Sequence, residues 1–115
     1  MIWKNVGEAG TIWKFPLQVA DVQEIALPAR AQILTCQTQG QNPCLWMLVN
    51  PAKAVSLPKE NHCIRIIGTG HPIPPEEALC YIGTFQIDGG TLIFHVFERT
   101  RLEPCFQVDP KGEKN

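Results

Sequence analysis

The sequence predicts an all-β fold, a compact antiparallel sandwich or partly open barrel of about six to seven strands. Three observations carry this expectation. The apolar runs have strand length, the breaks between them are rich in glycine and proline, and two of the runs, Tyr81 to Ile87 and Thr91 to Glu98, are joined only by Asp88-Gly89-Gly90. Short apolar runs bounded by such breaks are the pattern of strands and hairpins.

Residues 1–10 read as an irregular N-terminal arm, because Gly7 and Gly10 interrupt it before any period is established. The first strand is Thr11 to Phe15, with Thr11, Trp13 and Phe15 on one face and Pro16 closing or edging it. Val22 to Leu27, framed by Asp21 and Pro28, is a second short strand. Gln32 to Gln39 is a third, with one polar side, and Gly40 to Pro43 is a turn candidate. Cys44 to Val49 is apolar on both faces, which suits a central strand or an outer one covered by a partner. Ala52 to Asn61 reads as a loop with room for a helical turn around Ala52 to Val55.

His62 to Thr69 alternates Cys63, Arg65, Ile67 and Thr69 against His62, Ile64, Ile66 and Gly68. Pro72, Pro74 and Pro75 then forbid regular pairing, since proline has no amide donor. In the hairpin that follows, strict alternation places Tyr81, Phe85 and Ile87 on one face and Thr84 and Gln86 on the other. On the return, Leu92, Phe94 and Val96 oppose Ile93, His95 and Phe97; both sets are mostly apolar, so this strand belongs inside a sheet. The single β domain therefore spans residues 11–98, and 99–115 form a C-terminal extension in which Cys105 to Val108 can add an edge strand before a charged tail.

Length and charge narrow the function. A chain of 115 residues fits one domain. Ten basic and eleven acidic side chains, with neither sign gathered into a block, argue against a duplex-binding groove. No apolar run is long enough for a membrane span, and Met1 to Asn5 leads into no apolar signal region, so neither a membrane anchor nor a secretory peptide is expected. The five cysteines, an odd number without the short spacing of metal ribbons or fingers, read as reduced core residues.

The residues with chemistry cluster around the glycine corner. Gly68 and Gly70 strip bulk from beside His71 and Thr69 adds a hydroxyl, so the corner can hold a phosphate, a carboxylate or a nucleobase edge; the plainer reading is a tight turn. His95, inside an apolar strand, is either a hydrogen-bonded core histidine or a donor in a pocket. Arg65 can meet a phosphate or pair with a carboxylate such as Glu98. Trp3, Trp13, Trp46, Tyr81 and Phe97 offer stacking faces, and Thr84 or Gln86 beside such a ring would make a base-reading site. A hydrolase is not expected, because the only serine is Ser56 in a proline-flanked stretch and no paired carboxylates stand out. Cys63 or Cys80 with His71 is a conceivable thiol–histidine pair that nothing in the spacing selects. No catalytic residue, metal or cofactor is assigned.

Four blocks carry a resemblance: TIWKFPL (Thr11 to Leu17), PCLWMLV (Pro43 to Val49), IIGTGHPI (Ile66 to Ile73) and YIGTFQIDGGTLIFHVFE (Tyr81 to Glu98). On these the chain resembles a family of small proteins encoded by tailed phages and prophages. The resemblance implies phage origin, and a small phage protein with this glycine corner admits a non-enzymatic accessory protein of the host cytoplasm that sequesters a small nucleotide immune signal of the host; the high apolar strand content for so small a chain points to a homo-oligomer. In that reading Arg65 and His71 face phosphate, the amides around Thr69 assist, and Trp46 or Tyr81 stacks on the base. The alternative is a factor that binds a host protein through an apolar sheet face.

Overall fold

The computed structural model describes residues 10–100. The expected arm, apart from Gly10, and the extension beyond Thr100 with its Cys105 to Val108 strand lie outside the described residues, as does Trp3. Seven strands are present among those described: β1 (Thr11–Pro16), β2 (Val22–Leu27), β3 (Gln32–Gln39), β4 (Asn42–Val49), β5 (Glu60–Gly68), β6 (Leu79–Ile87) and β7 (Leu92–Arg99). They form two antiparallel sheets, one ordered β1-β4-β3 and the other β2-β5-β7-β6. The sheets face one another as a sandwich, and no closed barrel forms among the described residues.

The two strands that are apolar on both faces are internal in their sheets, β4 in the first and β7 in the second. Leu45, Met47 and Val49 of β4 meet Ile64 and Ile66 of β5, Phe85 of β6 and Val96 of β7 in the shared core, with Ile25 and Leu27 of β2 completing it. A period of two sends these residues to one face, and apolar burial at about 25 cal/mol per Å² drives that face inward. A short α-helix, α1 (Pro51–Ser56), replaces part of the expected loop; Asn50 Oδ1 accepts from the amides of Ala52 and Lys53, and Pro51 stands where a helix needs no donor. No helix among the described residues is long and apolar enough to cross a membrane.

The sheets are seamed along β3 and β6. At Gly83 a Cβ would stand 2.9 Å from both the backbone nitrogen and the backbone oxygen of Cys36, so only glycine lets the two strands approach. A bulge in β6 accompanies this approach: Tyr81 pairs with Phe97 but Gly83 pairs with Val96. The extra residue corrects the strict alternation expected for this strand. Tyr81 lies on the outer face with Thr84, while Phe85 enters the core. Gln41 Oε1, accepting from the Asp88 amide at 3.0 Å, ties the two neighbouring turns together.

Cys36 and Cys44 are buried and Cys63 is half-buried, all as free thiols, and burial pushes the Cys36 thiol up to about 11. Cys80 is disulfide-bonded, which corrects the reduced reading for that residue. A bonded sulfur is not available as a thiolate, so the pair of Cys80 with His71 is removed.

The inner face of β5 also carries His62, whose Nδ1 lies 2.5 Å from Glu98 Oε2. The hydrogen bond to Glu98 raises the His62 pKa, and burial opposes it. The folded protein therefore retains a proton that the unfolded chain releases. Stability from this pair is fully present below the ordinary histidine value and is lost as pH rises through the raised one. Glu98→Gln is expected to cost about 1 kcal/mol at about pH 5.5 and less at about pH 9. Thermal melts of both proteins at the two pH values check this; an equal gap at both would refute it.

Candidate functional site

The outer face of the four-stranded sheet gathers most of the polar residues singled out from the sequence. Register places His95 of β7 between Ile67 of β5 and Thr84 of β6, and Phe97 between Arg65 and Tyr81. Thr69 leaves the end of β5 on this side. The result is a continuous relay: Tyr81 Oη lies 2.5 Å from Thr84 Oγ1, which lies 3.0 Å from His95 Nδ1, while His95 Nε2 lies 2.8 Å from Thr69 Oγ1. Thr69 Oγ1 in turn reaches the Ile93 carbonyl at 3.4 Å. Both imidazole nitrogens are thus engaged by hydroxyls, which favours the first of the two readings open to His95, a hydrogen-bonded histidine.

The ring of Tyr81 is 55% exposed and stands edge-on to buried Phe97, with centroids 5.7 Å apart. Phe97 belongs to a second small core with Ile67 and Leu79, against which Ile73 of the proline loop packs. Gly70, at φ +89°, and the His71 amide bonding to the Gly68 carbonyl at 3.0 Å turn the chain into that loop. Gln86 is exposed on the same face and pairs with Ile93.

Arg65 is held beneath the loop. Its Nε lies 3.2 Å from Glu77 Oε1 and its Nη1 donates to the Asp21 carbonyl at 3.3 Å; Arg99 Nη1 lies 3.8 Å from the same Glu77 oxygen. Arg65 Nε and Glu77 Oε1 are both buried without an aligned hydrogen bond, so the contact is ionic. Glu77 replaces Glu98 as the expected partner, because strand parity sends Glu98 to the other face, where it meets His62. Glu77 carried no signal in the sequence, since no period governs a proline-rich loop.

Beside the relay a cleft of about 230 Å³ opens at the edge of β5, lined by Asp21, Arg65, Gly68, His71 and neighbours. The His71 ring rests on Gly68, on the side shared with Phe94. The expected site is therefore divided. Thr69, Tyr81, Thr84 and His95 form the relay, Arg65, Gly68 and His71 line the cleft, and Gly70 links the two. Trp46 joins neither: it sits in β4, in the other sheet, alternating with buried Leu45 and Met47, and its indole nitrogen donates to the Gln37 carbonyl at 3.4 Å. Its assignment as a stacking residue at this site is corrected accordingly.

A family model described as Domain of unknown function (DUF7352) matches residues 9–106. The chain belongs to this family. No curated protein and no solved structure matches it. The DUF7352 match covers all seven strands, the relay, the cleft and the proline loop between them. In this DUF7352 chain the relay offers hydrogen-bonding groups beside a supported aromatic ring, and the cleft offers an imidazole and a strand edge. Among the described residues no group of three or more histidine, cysteine, aspartate or glutamate side chains is placed to hold a metal ion.

Proposed function

We propose that the protein is a non-enzymatic binding protein that takes up a small nucleotide, with the base on Tyr81 and the phosphate in the neighbouring cleft. The observation that carries this reading is the half-exposed Tyr81 ring, with the Thr84 hydroxyl 2.5 Å from its own and His95 next in line. A ring with polar groups at its rim supplies both stacking and edge recognition. Strand alternation supports the phosphate end. The Ile66 amide donates to the Asp21 carbonyl, so the Gly68 amide, two residues on, points to the same edge just past the start of β2, beside His71. Arg65 is already matched by Glu77, so the anion rests on the Gly68 amide and His71 more than on the guanidinium. With the phage resemblance, the nucleotide is a host immune signal sequestered in the host cytoplasm, and a second copy of the chain encloses it.

Native mass spectrometry of the protein from phage-challenged cells, followed by denaturation, tests this. An intact nucleotide released in stoichiometric amount is the expected result; a chemically altered one overturns the non-enzymatic reading, and failure of mono- and cyclic dinucleotides to bind the purified chain overturns nucleotide binding. Tyr81→Ala is expected to weaken binding roughly ten- to hundredfold, the value of one stacked base at about 1–3 kcal/mol.

A second reading, attachment to a host protein, draws on β1, an edge strand whose Ile12 and Trp13 are 54% and 37% exposed. It draws less on β4 and β7, where Leu45, Met47, Val49, Val96 and Phe97 are buried and Trp46, Leu48 and Ile93 are half-buried. A co-purifying host polypeptide lost on Ile12→Lys, with no nucleotide present, would favour it.

A further inference from the structure

A second cleft, of about 460 Å³, opens at one end of the three-stranded sheet, between the β1–β2 crossing and the β3–β4 turn. Two glutamines that line it have their amides oriented by partners that can only donate. The Lys14 ammonium donates to Gln39 Oε1, and the Asp88 backbone amide donates to Gln41 Oε1 at 3.0 Å. Neither donor carries a lone pair, so each must face the amide oxygen, and the NH2 end of both glutamines is left unspent. Backbone acceptors along the cleft are already engaged: the Pro43 carbonyl takes the Leu17 amide at 2.9 Å, and the Gln18 carbonyl takes Gln23 Nε2 at 2.8 Å. No acidic side chain is among the described residues that line the cleft, and the Asp88 carboxylate accepts from the Thr91 hydroxyl at 3.0 Å. One positive charge and a surplus of donors remain.

We infer that this cleft is a binding site, separate from the nucleotide site, for a carboxylate carried on an apolar body. The Lys14 ammonium and the Gln39 NH2 group, neighbours through their own hydrogen bond, take the carboxylate, and the Gln41 NH2 group assists. A single ammonium matches a monoanion, and hydrogen bonds to an ionised group are the strong ones. Gln18 and Asn42 add amides that can turn either end to the ligand. Pro16 and Val19, the latter 49% exposed, supply apolar contact, and the volume is of the size that holds an organic molecule rather than a bare ion. Free organic acids and the terminal carboxylate of a peptide present this same chemistry.

Proton–nitrogen NMR titrations of the full chain test the site, with N-acetyl-leucine as the acid and N-acetyl-leucine amide as its uncharged counterpart. The acid is expected to shift the side-chain NH2 signals of Gln39 and Gln41 saturably, and the amide to bind roughly tenfold more weakly or less. Lys14→Met, at an exposed position, should weaken the acid to the same degree, and Gln39→Glu, which sets a carboxylate against the ammonium, should abolish its binding. Equal binding of acid and amide, or binding of neither, overturns the inference, as do shifts that gather at Tyr81 and His71 instead. Inorganic phosphate binding more tightly than the acid overturns the carboxylate class. N-acetyl-trialanyl-leucine with a free terminus separates the two sources: tighter binding than N-acetyl-leucine supports a site for chain ends, and equal or weaker binding supports one for free acids.

Discussion

Gly83→Val is expected to destabilise the domain by about 3 kcal/mol, lowering its melting temperature by roughly 10 °C or more. The cause is the seam between the sheets. A Cβ at Gly83 would meet the Cys36 nitrogen and oxygen at 2.9 Å and Thr35 Oγ1 at 3.2 Å. The first two are backbone atoms of a paired strand, so they cannot swing aside as the tip of a side chain would. Either β3 and β6 separate, opening the core around Phe85 and Val96, or the β3–β4 ladder breaks. Gly68→Ala is the informative comparison. There a Cβ would find its nearest neighbour, His71 Nδ1, at 3.6 Å, an ordinary contact, and a change within about 1 kcal/mol is expected. Denaturant titration of both variants decides the matter; equal losses would mean that the seam is not the constraint.

The second large effect is expected at Glu77. Removing its carboxylate leaves the Arg65 charge, on a side chain only 18% exposed, without its counter-ion, and Glu77→Ala should cost about 3 kcal/mol. Arg65 cannot turn to Glu98, which lies across the sheet against His62. Replacing both partners, Arg65→Met with Glu77→Leu, should be milder than Glu77→Ala alone, because the desolvation cost of the ions disappears together with their attraction. A double variant as unstable as the single one would show that loop packing around Ile73, and not charge, sets the stability there.

Much of the fold was legible because alternation in β5 and β7 runs unbroken: Arg65, Ile67 and Thr69 do share a face, as do His95 and Phe97. The same logic failed at Tyr81. An extra residue in β6 reverses parity, and nothing in Tyr81-Ile82-Gly83-Thr84 announces a bulge except the glycine itself. That one inserted residue is what puts Tyr81 beside Thr84, so the part of the site hardest to read is the part that assembles it. Alternation also says nothing about which sheet a strand joins, so it does not separate Trp46 from residues on the far side of the sandwich. Glu77 was invisible for a different reason: its position follows from where Ile73 packs, a long-range consequence of three prolines and one glycine at positive φ.

The short crossing from β1 to β2 bears on how the chain finds its register. Leu17 to Asp21 carries the chain from one sheet to the other, with Leu17 buried and its amide bonded to the Pro43 carbonyl, and with Gln18 and Gln23 exchanging two hydrogen bonds. A one-residue slip of β1 along β4 would turn Phe15 away from the core and drag Leu17 off its seat. Because Gln18 in the link is bonded twice to Gln23 at the start of β2, the same slip would pull β2 along β5 and expel Ile25 and Leu27. Misalignment of one outer strand is therefore penalised twice, once in each sheet, and the crossing works as a proofreader that accepts the two pairings together or not at all.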